Sequence, residues 1–392
     1  MKWESTKHLE DDNYMLPYHC LKIEYYEALN ALFRIENSLK VFVYIVLKKV
    51  FNEGWKDLSI SFDDENSTIG SIAKRRLSQD NNHAYLGYAI TCPILHLTSG
   101  ELIRIIMSDS YWKYFKGYFP ASKAIIQNKL DEIGNVRNSL AHFRPLRKGD
   151  IELVKQNSMH VLPVVERTIE NVLWCPDIVP TNTEEAWYKE LTILGIENVT
   201  VSFTQSKDEK WIKLVLSFYP PEISRRNAFM RNEMEVKAIN IRTDKILAHH
   251  LGLTKFVIST TETRIDMYTS YPDMAEIKKN IRFTFSKETV QNNYQKIKSE
   301  IETILSTISK EVALIKEDNL ARGKLTDVIS YSVENIKDGH CIINGSNFLT
   351  ELNEDTPPEF WGKISYCPDF ITNTDVFPWM PIEISRDTKL PF

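Results

Sequence analysis

The sequence predicts a two-domain protein: an all-α helical bundle over residues 1–175, then an α+β domain over 176–392. Three observations predict it. Glycine is scarce, 13 residues in 392. Long stretches of the first half repeat apolar residues at the helical period of about 3.6. After Trp174-Cys175-Pro176-Asp177 the pattern changes to short β-type segments. A chain of 392 residues is long enough for two cores of ordinary size.

The first predicted element is a long amphipathic helix over 19–52, with apolar positions at Leu21, Tyr25, Leu29, Leu32, Ile35, Leu39, Phe42 and Ile45. Asn52-Glu53-Gly54 ends it. A short helix follows from Ile69 to Leu77, then an apolar stretch over Tyr85–Leu97. Thr98 and Glu101 form a capping-box pair that starts a helix running to about Tyr118. After Pro120 and Ser122, a helix spans Lys123–His142 and stops before Pro145. The last helix of this half covers Asp150–Leu173, with a kink expected at Pro163. Short connections between such helices suit an antiparallel bundle.

In the second half a short helix over Thr183–Leu194 precedes strands at Val199–Phe203, Trp211–Phe218, Met234–Ile241, Lys255–Ser259 and Ile281–Phe285. A helix over Lys287–Glu311 carries Val290, Tyr294, Ile297, Ile301, Leu305 and Ile308 on one face. The segment from Trp174 to Thr183 echoes that from Tyr366 to Thr374, and a pair of similar strand-turn elements accounts for it better than a metal site.

Composition narrows the function. The net charge of −5 excludes a uniformly basic nucleic-acid coat, but residues 1–175 hold 22 Lys/Arg against 21 Asp/Glu, leaving 26 against 32 for the rest. A neutral first half with local basic clusters can hold a phosphate backbone. Five cysteines, none at C-x-x-C spacing, do not form a disulfide framework and fit a reducing cytoplasm. The N-terminal segment is too polar for a signal peptide. The apolar run within Val41–Val50 breaks at Lys48 and Lys49, far short of a membrane span.

The chemistry concentrates on the helix of Lys123–His142. On a helical wheel Leu130, Ile133, Val136, Leu140 and Phe143 gather on the core side. Asp131, Asn138 and His142 gather opposite, flanked by Gly134 and Ala141, with Arg137 at the margin of the apolar stripe. These types suit phosphodiester cleavage. His142 exchanges a proton near neutrality and can act as general base or acid for a ribose 2′-hydroxyl. Arg137 stays charged and can brace phosphate oxygens as charge builds. Asn138, one turn before His142, can orient the imidazole or donate to phosphate. Arg144, Arg147 and Lys148 form a basic cluster suited to an RNA backbone. From residue types alone a blander reading stands beside this one: a surface helix whose terminal His⁺ suits its negative end.

The run Arg137-Asn138-Ser139-Leu140-Ala141-His142-Phe143-Arg144-Pro145-Leu146 resembles the R-N-x-x-A-H-x-R-P-L form of the HEPN superfamily signature. The preceding stretch, Leu97-Thr98-Ser99-Gly100-Glu101-Leu102-Ile103 through Trp112 and Phe115, is similar to the region before that motif in some HEPN domains. As a fold the resemblance covers about residues 15–175. It implies an all-helical bundle, a homodimer that brings two motif copies together, and metal-independent endoribonuclease activity. It implies catalytic roles for Arg137, Asn138 and His142, with no cofactor and no metal. Such proteins commonly serve in anti-phage defence or as growth-arresting toxins. The C-terminal domain would then be a sensor, regulatory or substrate-binding module, answering to a regulatory partner or phage-derived trigger. An antitoxin-like neutraliser is one such partner. The alternative is a non-catalytic dimerisation module that binds RNA or protein.

Other candidates carry less. His249-His250 lacks further ligands at convincing spacing and reads as a turn-proximal pair. Arg225-Arg226-Asn227 with Arg231 reads as a solvated helix face or a phosphate-holding cluster. Glu36 on the long first helix could reach the motif in a bundle, since that helix must pack nearby, but an isolated carboxylate is more often a surface group. No Gly-rich phosphate loop and no G-x-S-x-G elbow appears.

Overall fold

The computed structural model describes residues 7–8, 14–15, 23–60, 67–81, 92–142, 144, 146–173, 178–227, 233–269, 275–336, 340–344, 348–350 and 356–363. The described chain divides into two compact units, with the break between Glu170 and Asn171. The first is helical and the second is built on sheets.

The helical unit opens with a two-residue hairpin, β1 (Lys7–His8) with β2 (Tyr14–Met15). Helix α1 (Ile23–Phe51) follows and occupies the centre of the unit. Leu32, Ile35, Leu39, Phe42 and Ile45 are buried as the period predicts, but so is every residue from Val41 to Leu47. A helix segment buried all round is a core segment, so among the described residues the amphipathic expectation holds over Leu32–Lys40 and not over Val41–Leu47. The rings of Phe115, Tyr118 and Phe119 close on Phe42 at 5.8, 5.3 and 5.8 Å, distances at which tilted and edge-on aromatic pairs attract. Helix α2 (Ile69–Asn81) runs a full turn past its expected end.

The helix expected from Thr98 to Tyr118 is broken. It forms α3 (Ser99–Met107) and α4 (Asp109–Phe115), followed by a short 3-10 turn. Ser108 between them is extended, with φ −58° and ψ 137°. Its carbonyl accepts from the Tyr111 and Trp112 amides at 3.1 and 2.7 Å, which restarts the helix. The Thr98–Glu101 capping box is present, with both arms closed. Helix α5 (Lys123–Ala141) buries Ile126, Leu130, Ile133 and Val136 and packs on α1 and α3. Helix α6 (Lys148–Leu173) continues through Pro163.

The second unit opens with α7 (Ala186–Thr192). Strands β3 (Gly195–Ile196), β4 (Val199–Gln205), β5 (Trp211–Phe218), β6 (Glu222–Asn227) and β7 (Glu233–Ile241) come next. Helices α8 (Thr243–His249) and α9 (Leu251–Thr254) lead to β8 (Ser259–Thr269) and β9 (Ala275–Ser286). The 30-residue α10 (Lys287–Lys316) precedes β10 (Thr326–Ile336), β11 (His340–Asn344) and β12 (Phe360–Lys363). One sheet has the order β12-β8-β9-β5-β4-β3, and a second has β11-β10-β7-β6. All pairings are antiparallel except β12 with β8. Helix α10 lays Val290, Ile297, Ile301, Ile304, Leu305 and Ile308 into the core shared with β5 and β9.

Two expectations for this unit fail locally. The strand predicted over Lys255–Ser259 begins only at Ser259. Before it, the Lys255 and Phe256 amides bond back to Leu251 and Leu253, so the turn of α9 overrides β-type composition. The pair Arg225-Arg226 lies on an edge strand rather than a helix face. There Arg225 grips Glu222 through Nε and Nη2 at 3.1 and 2.6 Å. Of the two echoed segments, Trp174–Asp177 of the first and all of the second, Tyr366–Thr374, lie outside the described residues, as do Tyr85–Ile90, Phe143, Pro145 and Arg231.

Candidate functional site

Helix α5 positions the motif. Its apolar stripe faces α1 and α3, so the residues opposite are left outward: Asp131, Asn138, Ala141 and His142 are all exposed. Asn138 and His142 lie four residues apart and therefore share a face. His142 caps the C-terminus of α5, and its amide bonds to the Asn138 carbonyl at 3.1 Å. The Arg144 amide bonds to the Ser139 carbonyl at 2.9 Å, which turns the chain back just after His142.

Gly134 does not share this outward face as expected. A Cβ there would lie 3.6 Å from Ile103 Cδ1 on α3 of the same unit. That is an ordinary contact, so Gly134 is half-buried beside α3, and Ala141 supplies the small exposed residue beside His142.

Arg137 sits at the margin of the stripe, half-buried, as the wheel places it. Its Nε donates to Glu36 Oε2 on α1 at 3.1 Å, and its Nη1 to Asn138 Oδ1 at 3.4 Å. Glu36 is also half-buried, and it is no isolated surface carboxylate. Lys40, one turn along α1, reaches Oε1 at 3.0 Å, and the Ser99 hydroxyl at the start of α3 donates to Oε2. Burial alone would raise the Glu36 pKa. The charge of Lys40, the bond from Ser99 and the charge of Arg137 together outweigh it and hold the carboxyl below its usual range.

The start of α3 is itself fixed. Glu101 closes the capping box on the Thr98 amide at 2.7 Å, and Arg76 of α2 grips both its oxygens at 2.7 and 2.8 Å. This fork-on-carboxylate geometry is the strong form of an ion pair. A polar chain thus runs Arg76–Glu101–Thr98, then Ser99–Glu36–Arg137–Asn138. Of these, the sequence singled out Glu36, Arg137, Asn138 and the capping box, but neither Ser99 nor Arg76. The capping box was the signal that could have found Ser99, because it fixes where α3 begins.

The expected RNA-binding cluster lies on the turn between α5 and α6. Arg144 and Arg147 are exposed. The Arg147 amide donates to Asp150 Oδ2 at 2.8 Å, and Lys148 begins α6. Both therefore stand at the positive end of a helix, where negative groups are favoured.

No family model, curated protein or solved structure matches the chain.

Elsewhere, His250 ends α8 and holds Glu300 at 3.3 Å through Nδ1. Among the described residues no group of three His, Cys, Asp or Glu side chains is placed to hold a metal ion. Among those residues, too, no helix is long and apolar enough to cross a membrane.

Proposed function

We propose that this chain is a metal-independent endoribonuclease of the HEPN type, acting as a homodimer in anti-phage defence or as a toxin. The observation that carries the reading is the end of α5. There Asn138 and His142 stand exposed on one face. Arg137 is held beside them by Glu36, and two exposed arginines follow on the next turn.

The chemistry is transesterification. A neutral His142 takes the proton of a ribose 2′-hydroxyl, whose oxygen attacks the adjacent phosphorus and expels the 5′-oxygen. A protonated His142 returns a proton to that leaving oxygen. Arg137 stabilises the charge gathering on the phosphoryl oxygens, Asn138 orients the imidazole, and Arg144, Arg147 and Lys148 hold the flanking backbone. Positions 137 and 142 lie about 140° apart around a helix, so one copy does not aim both groups at one phosphate. Two copies related by a two-fold axis supply one histidine in each protonation state and set one copy's arginine against the other's histidine. The C-terminal sheet unit is the sensor or regulatory part in this reading.

RNA cleavage in EDTA by wild type and His142→Ala tests the proposal. Loss of cleavage in the variant is expected, and equal rates would sink the catalytic claim. One observation favours a second reading, a non-catalytic dimerisation module that binds RNA or protein: the Arg137 charge is already met by Glu36. Salt-sensitive RNA binding without cleavage, unchanged in His142→Ala, would select it.

A further inference from the structure

We infer that Glu36 is a positioning residue that fixes which edge of Arg137 is offered to an RNA phosphate, an inference that rests on the ribonuclease reading above. A guanidinium carries five N–H donors in a planar fork. Glu36 takes only the one on Nε, at 3.1 Å. The contact on Nη1 is to the neutral amide oxygen of Asn138, at 3.4 Å. The carboxylate therefore engages the guanidinium from its Nε side. The Nη edge, with four N–H groups, is left without a charged partner among the described residues. That edge is the one a phosphate grips with two parallel hydrogen bonds. The arginine side chain keeps 32% of its surface exposed, so it is reachable from outside while anchored from within.

Glu36 is suited to the task because it does not depend on Arg137 for its own place. Lys40 holds one of its oxygens and Ser99 the other, from α1 and α3 respectively. Ser99 in turn sits directly after the capped Thr98, whose Glu101 partner is clamped by Arg76. The anchor is thus tied to three helices before Arg137 of α5 meets it.

This geometry makes an unusual demand on substitutions. Lysine at 137 would bring a single ammonium with no second edge, and Glu36 would hold that one charge back from the phosphate. Removing the Glu36 charge should release it. The test is the single-turnover cleavage rate of a 5′-labelled, mixed-sequence single-stranded RNA by wild type, Glu36→Gln, Arg137→Lys and the double variant, each checked by thermal melting.

Glu36→Gln is expected to lose on the order of 10- to 100-fold in rate, the effect of letting a catalytic group wander by about 1 Å. Arg137→Lys is expected to lose more, and the double variant to cleave faster than Arg137→Lys alone. A pair that only staples α1 to α5 predicts the opposite, with the double variant slowest of all. Wild-type cleavage by Glu36→Gln, or a double variant no faster than Arg137→Lys, overturns the inference and leaves the ribonuclease reading standing. A folded wild type that cuts no RNA overturns both. Should Glu36→Gln fail to fold, Ser99→Ala carries the test. It frees one anchor and should slow cleavage severalfold, and an unchanged rate overturns the inference.

Discussion

Lys279→Met would strand a carboxylate inside the C-terminal unit, and the structure sets the size of the effect. Lys279 on β9 and Glu262 on β8 are 1% and 0% exposed at their side chains, with Nζ and Oε2 2.9 Å apart. At that distance the attraction is about 6 kcal/mol for an effective dielectric near 20. Most of it is offset by the cost of removing both charges from water, so the intact pair contributes far less. Removing one partner is different, because the desolvation of the other remains. That imbalance costs about 3–5 kcal/mol, and the Ile241 carbonyl also loses its 2.7 Å donor from Lys279. Against total stabilities of about 5–15 kcal/mol this is a large fraction.

The double variant Lys279→Met/Glu262→Gln should recover about half of the loss, since it removes the uncompensated charge. The amide keeps an oxygen for the Thr350 backbone N–H, and its NH2 can donate to the Thr243 and Thr350 hydroxyls, which turn to accept. Urea unfolding of the full chain measures both variants, and hydrogen exchange on peptides from β8 and β9 assigns the loss to this unit. A loss below about 1 kcal/mol for Lys279→Met, or a double variant less stable than the single, would refute the reasoning.

Two further outcomes follow from the same contacts. Gly323→Ala should destabilise the C-terminal unit by about 1–3 kcal/mol in a denaturant melt. A Cβ there would overlap the Glu311 carboxylate, which cannot swing aside because the amides of Lys324, Leu325 and Thr326 hold it at 2.7, 3.1 and 3.1 Å; an unchanged midpoint would show that the loop yields freely. Glu101 gives a pH test: burial would raise its pKa, but the bonds from Arg76 and Thr98 outweigh it and leave the folded value below the ordinary 4.5. Its stabilisation is therefore complete above 4.5 and fades as pH falls through the folded value. The Tm gap between wild type and Glu101→Gln should be widest at neutral pH and close in acid, and a gap that grows in acid would contradict this.

The sequence was most legible where one local signal decided the outcome. The apolar period carried α5 to within a residue of its ends, the Thr98–Glu101 pair marked the start of α3, and a short strand-type apolar run marked β5 at Trp211–Phe218. It misled where two local signals competed. Apolar residues continue in helical spacing across Ser108, at Ile105, Trp112 and Phe115, and hid a break that lies in one extended residue. Phe256-Val257-Ile258 has strand composition, yet the amides of Phe256 and Val257 bond back to Leu253 of α9, and only from Ile258 does the chain pair with β9. Arg225-Arg226 shares its segment with a single apolar residue, Ile223, too little to show an alternation, so only the ladder to β7 reveals it as a strand.

The candidate site divides along the same line. Which residues of α5 face outward follows from a period of about 3.6, and a wheel finds them. What holds Arg137 follows only in part: a bundle brings Glu36 near the site, but the contact joins residues 101 positions apart and forms only once α1 and α5 have packed. The wheel placed Arg137 at a margin, and the fold explains why the margin matters. An arginine on the outward face would be a mobile surface cation, whereas one facing the core would be spent on structure. At the boundary its Nε edge can be tied down by a half-buried carboxylate while its Nη edge stays available, and preorganisation of that kind lets a hydrogen-bond donor stabilise charge without first having to reorient.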